Sequence, residues 1–568
     1  MPKRPHPPPA RRKKTPKAPE TADEYLAVAV DLEESGERWR SGDVAKAGRF
    51  FVQAVTAYET TLARYPNNFD ARYNRARLLY TLTQLPLPAT FFPATSTAES
   101  RLLAAAEAHK ECNDLEKNSS DILFNYGQTL SSLGEFYANK PQPYSEDEEE
   151  DEPLNKEIER LLQSKQAFET SWTILQQCLT VQESDYKSTL EQSQSFDSNP
   201  LEDEYVMNDD EDNDNGGVKL PPQFTERRNS TASSHSSNSN GGSGATQWAS
   251  IVEPTTKLSI LDTALAMLEV QTSILTLSTP STATTIFSQP YLEQITTHAA
   301  TILDNYILPI SGSLHEDVSL NLEPIEIAER EVEATLSRAN FLTALVETKY
   351  HLGLNTIETW EADIKAAFDP FTLYTPPDDG KQATEERKGI IDLATSWMAL
   401  CDRSTAYTTL STTILPFQPQ RSWKLANLAS QDLSSATKLS PEKEKPGVYL
   451  ARGNLEMVRS KIPVEAAEKA VGVLRKNAGV YYRGVVAASG SSLIGAVDGV
   501  KVKEAVEEAR VKEVVIKVEE EGDVNGLKVL LVKGGVEKLA VWRIVKAAVE
   551  DGIFGREVLG LVEEVLRG

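Results

Sequence analysis

The feature of this sequence that most constrains its fold is a helix, a proline-containing turn and a second helix within residues 42–80. The first helix carries Ala47, Phe51 and Ala54 on one face, at the three- and four-residue spacing of an amphipathic helix. The turn at residues 66–68 reads Pro-Asn-Asn, and proline stops a helix because it lacks an amide donor. Ala76 then lies where two helices must cross closely. The pattern predicts a stacked helix pair, the unit of a helical solenoid.

Helical periodicity continues along much of the chain, whose strand signals are weak. Apolar residues recur at steps of three and four even in the valine-rich last hundred residues, which indicates helices rather than strands. We therefore predict an all-α solenoid of antiparallel helix pairs. The predicted helices after residue 84 cover 98–118, 121–133, 161–183, 254–277, 291–307, 324–352, 357–368, 385–401, 423–439, 448–459, 501–520 and 536–566, with a turn at 522–526.

The charge of the chain is strongly acidic and unevenly distributed. The formal net charge is -25, yet the first twenty residues hold seven Lys or Arg against one Glu. Residues 146–152 are seven consecutive acids, and residues 201–214 contain eight more. An acidic surface repels nucleic-acid phosphates and attracts basic partners. We therefore expect protein partners, basic ones among them, and no direct binding of nucleic acid by the folded part.

Composition divides the chain into five segments. Residues 1–21 form a proline-rich basic tail, and residues 184–248 form an acidic insertion rich in Ser, Asn and Gly, and both are expected to be disordered because they cannot bury enough apolar area. Helical repeats are predicted over 22–183, interrupted by an acidic loop at about 138–156, and over 249–460. Amphipathic helices follow over 461–568. The sequence leaves the oligomeric state open.

Short motifs in the polar segments predict an import signal and two modification sites. The basic cluster of the tail is typical of a nuclear import signal, with a solubilising tail as the alternative. Ser145 precedes a run of acids and Ser230 follows two arginines, which match acid-directed and basic-directed kinase patterns respectively. We expect a protein of the nucleus and cytoplasm. The cluster consists of Arg11, Arg12, Lys13 and Lys14.

Motifs for chemistry are missing from the sequence. The three cysteines are far apart, and the six histidines do not pair with cysteines or acids at metal-ligand spacing. The chain has neither a phosphate-binding glycine-rich loop nor a nucleophile elbow. No window approaches the ~18 unbroken apolar residues of a membrane span. We expect a protein that is not an enzyme, binds no metal or cofactor and does not enter membranes.

The helix pairs resemble the tetratricopeptide repeat, a unit of about 34 residues that needs small residues where its two helices cross. The match is good over residues 40–80 and fair over 100–135 and 425–458, where Gly127 and Gly453 occupy small crossing positions. Residues 254–400 share only the periodicity. The stretch 22–40 looks like uncharacterised fungal proteins of this type. A solenoid of another helical repeat class is the alternative.

The resemblance implies a partner-binding concave face lined by the first helix of each pair. Eight residues of this sequence occupy positions that correspond to this face. The carboxylate clamp of the co-chaperone subset is absent, because Leu32 and Gly36 occupy the corresponding helix. The implied concave-face residues are Asp70, Tyr73, Asn74 and Arg77 in one unit, Phe124 and Gln128 in the next, and Leu450 and Asn454 near the end.

Two functions from different classes fit these observations. The first is a chaperone or escort that holds a basic nuclear or ribosomal client, with the acidic tracts masking the client's charge; histone chaperones with interrupted repeats have a similar architecture. The second is a scaffold or adaptor subunit of a multiprotein complex, in which the acids only solubilise the loops. The sequence does not name the partner.

Overall fold

All secondary structure in the described part of this computed structural model is helical. The structure describes residues 19–139 except 86, 88, 94 and 95, and then residues 152–197, 255–314, 322–371, 396–489, 498–533 and 536–567. The basic cluster of the tail, Ser145, Ser230 and the acidic tract at 201–214 lie outside these ranges. Contacts divide the chain into two compact units, residues 1–108 and residues 109–568.

The first unit is built on three helices whose starts are marked by capping side chains. These are α1 (Ala22–Arg40), α2 (Val44–Arg64) and α3 (Phe69–Gln84). Thr21 forms a capping box with Glu24 at the start of α1, where it satisfies amides that have no partner inside the helix. A short 3-10 turn (Ala89–Phe91) follows, and α4 (Ala98–Leu115) contains the division between the units.

The core of the first unit forms on the stripe that the sequence predicts. Ala47, Phe51, Ala54 and Tyr58 of α2 are fully buried. A β-carbon at Gly36 would overlap the ring of Phe51, so the glycine allows α1 and α2 to approach closely. The predicted close crossing at Ala76 is also a buried position. Small residues and one aromatic ring therefore set the spacing of this helix pair.

The second unit contains the remaining helices. They are α5 (Ser120–Asn139), α6 (Glu152–Asp197), α7 (Lys257–Leu275), α8 (Ala283–Ile286), α9 (Gln289–Ile302), α10 (Leu308–Ser313), α11 (Pro324–His351), α12 (Ile357–Phe368), α13 (Ser396–Ile414), α14 (Pro419–Leu439), α15 (Lys445–Ser460), α16 (Glu465–Ala488), α17 (Asp498–Glu521), α18 (Asn525–Lys533), α19 (Lys538–Glu550) and α20 (Glu557–Arg567). Pairwise contacts within this unit are most extensive between α5 and α6, α13 and α14, and α15 and α16.

Glycines at the crossing positions show how neighbouring helices pack. A β-carbon at Gly134 of α5 would lie 2.7 Å from Cε1 of Phe168 on α6, and one at Gly127 would lie 2.6 Å from Cδ2 of Leu175. The residue numbers rise on one helix as they fall on the other, so α5 and α6 run antiparallel. Hydrogen bonds of Ser404 with Ala429 and of Ser411 with Ser422 show the same for α13 and α14.

Several predicted boundaries are wrong. Helix α6 continues to Asp197 rather than ending at residue 183, and Tyr186 in this extension packs against the core. The segment predicted as one helix over 536–566 is two helices, α19 and α20, broken where Gly552 adopts a positive φ of 71°. Helix α13 begins at Ser396, so only the end of the predicted helix 385–401 lies in it, and residues 385–395 are outside the described part.

Other boundaries agree with the sequence more closely. Helix α12 begins and ends as predicted, at Ile357 and Phe368. Helix α9 passes into a π-helical turn (Leu303–Ile307) just before Pro309, whose ring removes an amide donor and disturbs the regular ladder. The predicted turn at 522–526 contains Gly522 with a φ of 65°. These breaks occur where local backbone chemistry forces them.

Helix α7 is the central helix of the largest core cluster. Leu261, Ala264, Leu268 and Val270 are at most 1% exposed. Among the described helices, α7 alone is long and apolar enough to cross a membrane by length and composition, and 67% of the window that meets this test is buried inside the protein. Helices α5, α6, α9 and α11 supply much of the covering surface.

Candidate functional site

A groove of the second unit lies between α5, α7 and α11. Its volume is about 550 Å³, within the range of small ligand and peptide sites. Phe124 and Gln128 enter it from α5, and Asp262, Leu265 and Glu269 from α7. Helix α11 contributes the opposite wall with Arg330, Glu333, Ser337 and Asn340.

The arrangement follows from helical periodicity. Asp262 and Glu269 are seven residues apart, which is close to two full turns, so both project from the same side of α7. They are the two acidic residues of an otherwise largely apolar helix. The rest of α7 is held in the core, so these carboxylates have a rigid support.

The electrostatics of the groove are acidic. Three carboxylates, those of Asp262, Glu269 and Glu333, line it together with one cation, Arg330. The guanidinium Nη1 of Arg330 lies 3.0 Å from Oδ1 of Asp262 and 2.8 Å from Oε2 of Glu333. No ion pair is seen for Glu269 among the described residues. The groove therefore has a formal charge of about -2, and the Glu269 carboxylate can form charge-assisted hydrogen bonds with a cation that enters it.

The groove walls perturb the titration of two carboxyl groups. Burial raises the pKa of Asp262, an effect that Arg330 opposes and Glu333 reinforces. Burial and then the Glu333 carboxylate raise the pKa of Glu269. The Glu269 side chain is nevertheless exposed to water, and the two observations agree because a concave wall can surround an accessible group. Such acids gain most from a cation that enters the groove.

Two more carboxyl groups with a raised pKa lie beyond the groove. Nδ2 of Asn340 donates a hydrogen bond of 2.8 Å to Oδ2 of Asp402 on α13. Burial raises the pKa of Asp402, while the Asn340 hydrogen bond lowers it. Farther along α11, burial alone raises the pKa of Glu347 to about 7. Carboxyl groups whose pKa is raised by burial therefore lie beyond the groove as well, at Glu347 on α11 and at Asp402 on α13.

The residues that the resemblance places on α3 have partners or neighbours inside the first unit. Glu33, 7% exposed, accepts a hydrogen bond of 2.7 Å from the Tyr58 hydroxyl and forms an ion pair with Arg77. Asn74 is hydrogen-bonded to the same tyrosine. Tyr73 is 7% exposed and stacks on a neighbouring phenylalanine of α3.

These contacts change the interpretation of the α3 residues. The charge of Arg77 is neutralised by Glu33, and Tyr73 has little surface to offer. Asp70 lies in the first turn of α3 and is half-buried. Helix packing therefore uses most of the side chains that the resemblance assigns to a partner. Their proposed role in binding stays a prediction.

The two predicted residues of α15 also lie outside the groove. Leu450 is half-buried against the core of the last helices. Oδ1 of Asn454 accepts hydrogen bonds of 3.0 Å from the Tyr482 hydroxyl and 3.0 Å from Nζ of Lys512. Lys512 is 3% exposed, so Asn454 serves to satisfy a buried cation. Of the eight predicted concave-face residues, the structure brings only Phe124 and Gln128 to the groove.

Sequence reasoning missed the groove's charged residues. Asp262 and Glu269 carry a local signal, since they interrupt an apolar helix at a spacing of seven residues. Arg330 and Glu333 carry no comparable signal, because α11 is rich in charges along much of its length. Only tertiary packing selects these two from the other charges of the helix.

No protein-family model matches this chain. It is similar to the UPF0656 protein C926.02 of Schizosaccharomyces pombe, with 36% identity over 128 residues, which are 22% of this chain and 27% of that protein. It is also similar to the uncharacterized protein YNL193W of Saccharomyces cerevisiae, with 33% identity over 64 residues, 11% of this chain and 12% of that protein. The matched parts thus span about a quarter and an eighth of these relatives.

Among solved structures, the chain is similar to a circular tandem repeat protein with novel repeat topology and enhanced subunit contact surfaces. The identity is 9%, the TM-score is 0.28, and the alignment covers 96% of this chain and 98% of the other. A TM-score this low carries no argument about the fold. The two yeast relatives confirm the expected similarity to fungal proteins without a described activity, and neither name refers to a tetratricopeptide repeat.

Proposed function

We propose that this chain is a non-enzymatic, tetratricopeptide-like protein-binding module whose α5–α7–α11 groove holds a basic segment of a client. The observation that carries the proposal is the excess of carboxylates in a concave groove, where Glu269 is exposed and forms no ion pair with any residue that the structure describes. Phe124 and Leu265 add apolar contact area beside these charges. Basic side chains with long apolar stems match such a lining, because their stems pack while their charged heads pair.

The client class follows from the charge of the whole chain. A net charge of -25 attracts basic proteins over about 10 Å at 0.1 M salt and more weakly at higher salt. Histones and ribosomal proteins are basic proteins of this kind, and the proposed activity is that of an escort. Holding the client's basic segment in the groove lowers its charge and prevents premature condensation on nucleic acid.

Binding of an arginine-rich peptide to the full-length protein tests this function. We expect Glu269→Gln to weaken binding about threefold to fivefold, the range for one partly exposed ion pair. The matched control is Glu465→Gln, which removes the same charge from a side chain that is 79% exposed and outside the groove. Fluorescence anisotropy at 50 and 200 mM salt measures both. Equal affinities for the two variants would contradict binding in the groove.

A scaffold or adaptor is the second candidate, and one observation favours it. Val529 and Val532 of α18 are 54% and 80% exposed and three residues apart, so they share one helix face. Affinity purification with deletions of the acidic runs at 146–152 and 201–214 separates the two functions. Loss of basic partners supports the escort, whereas an unchanged set of partners supports the scaffold.

A further inference from the structure

The groove offers two carboxylates at a defined separation. Asp262 and Glu269 both line it and lie seven residues apart on α7. At a rise of 1.5 Å per residue, their Cα atoms are about 10.5 Å apart along the helix axis. Because α7 is packed into the core, this separation is fixed. A ligand that pairs with both must present two cations at a similar distance.

Asp262 already holds a cation, which shows that a guanidinium fits at this position. Both contacts of Arg330 use the same nitrogen, Nη1, at 3.0 Å from Asp262 and 2.8 Å from Glu333. Glu333 lies one turn along α11 from Arg330, whereas Asp262 is on the facing helix. Arg330 can therefore release Asp262 and keep Glu333.

The ion pair between Arg403 and Asp432 is a more tightly bound pair with which the Arg330–Asp262 pair can be compared. Arg403 binds Asp432 through two nitrogens, with Nε–Oδ2 at 2.9 Å and Nη2–Oδ1 at 2.7 Å. These side chains are 20% and 10% exposed, against 33% and 35% for Arg330 and Asp262. Single-nitrogen contact in a more exposed place makes the Arg330–Asp262 pair the weaker and more exchangeable one.

The spacing of the two carboxylates fits an extended ligand. An extended polyproline-II segment rises about 3.1 Å per residue with three residues per turn. Its residues i and i+3 therefore point the same way, about 9 Å apart, which matches the spacing of Asp262 and Glu269.

We propose that the ligand of this groove is an extended segment with two cationic side chains three residues apart. One cation pairs with Glu269, and the other takes the place of Arg330 on Asp262. This inference rests on the proposed function and adds the register of the client: the spacing of charges, rather than their number alone, sets affinity. Arg330 is then a specificity-determining residue that makes single cations poor competitors.

The test uses peptides of identical composition that differ only in the spacing of two arginines. We expect the peptide with arginines at i and i+3 to bind the full-length protein about twofold more tightly than isomers with spacings of one or two, because only it forms a second ion pair, at the cost of the weaker Arg330–Asp262 pair. Asp262→Asn should abolish this preference. Equal binding of all isomers, weakened alike by Glu269→Gln, would overturn the register and leave the proposed function standing. No binding of any isomer would overturn both.

The role of Arg330 has its own variants. Arg330→Gln frees Asp262 and is expected to tighten binding of the i, i+3 peptide about threefold to fivefold, the value of one ion pair. Arg421→Gln is the matched control, since Arg421 also contacts two glutamates, Glu358 and Glu361, but outside the groove. Thermal melts show that both variants fold. Weaker binding by folded Arg330→Gln would show that Arg330 supports the groove rather than competing for it.

Discussion

Replacing Gly453 with alanine tests how α15 and α16 pack. A β-carbon at this position would lie 2.7 Å from Cδ1 and 3.0 Å from Cζ of Tyr482. That ring is fully buried, and its hydroxyl is hydrogen-bonded to Asn454, so it cannot swing aside. Overpacking of this kind costs about 1–3 kcal/mol, while alanine recovers about 0.5–1 kcal/mol of helix propensity. We expect a net loss of about 1 kcal/mol.

The matched control is Gly472→Ala on the neighbouring helix. Gly472 lies inside α16. Apart from its two chain neighbours and the backbone of its own helix, no described atom lies within 4 Å of the place where a β-carbon at Gly472 would be. Only the propensity term remains, so this variant should gain about 0.5–1 kcal/mol. The two glycine-to-alanine changes therefore have opposite expected signs.

Hydrogen exchange of the α15 and α16 amides measures these changes locally, which suits a chain too long for one unfolding transition. A loss of 1 kcal/mol corresponds to about fivefold faster exchange through local opening. Gly453→Ala should show this increase and Gly472→Ala a decrease. If exchange in Gly453→Ala is slowed or unchanged, the close crossing at Tyr482 does not limit the packing and the reasoning is wrong.

Three further predictions concern buried polar groups. Because burial raises the Glu347 pKa to about 7, folding favours its protonated form, and stability should fall as pH rises from about 4.5 through 7; Glu347→Gln should flatten that part of a pH series of thermal melts. Arg403→Leu should cost about 3 kcal/mol in urea unfolding by leaving the buried Asp432 charge unpaired, with partial recovery on adding Asp432→Asn. Tyr58→Phe should cost about 1–3 kcal/mol, since the buried Glu33 carboxylate keeps Arg77 but loses the hydrogen bond from the Tyr58 hydroxyl.

The helices could be predicted because their signals are local. Spacing of apolar residues located α12 at its observed ends, and proline chemistry located the break between α2 and α3 at residues 66–68. The prediction failed where one distant contact decided the outcome. Helix α6 extends past residue 183, where Tyr186 packs against the core, and composition cannot register a contact made by a single side chain.

The candidate site was predictable only in part. Phe124 and Gln128 could be placed by position in a repeat. Arg77 and Asn454 were predicted as partner-binding residues on the same grounds. In the structure, however, Arg77 forms an ion pair with Glu33, and Asn454 accepts a hydrogen bond from Lys512. A polar side chain on a helix looks the same in sequence whether it faces a partner or satisfies a buried charge of its own protein.

The sequence by itself determined a helical chain with small residues where helices cross. Helix formation and crossing depend on spacing and on side-chain size, which are local properties. Tertiary structure alone decided which charged side chains of the groove remain available to a ligand. Within the described part of the chain, Glu269 has no ion-pair partner while Asp262 shares Arg330 with Glu333, because α7 and α11, far apart in the chain, meet at one groove. Charge pairing depends on distance in space, and that distance is set only when the helices pack.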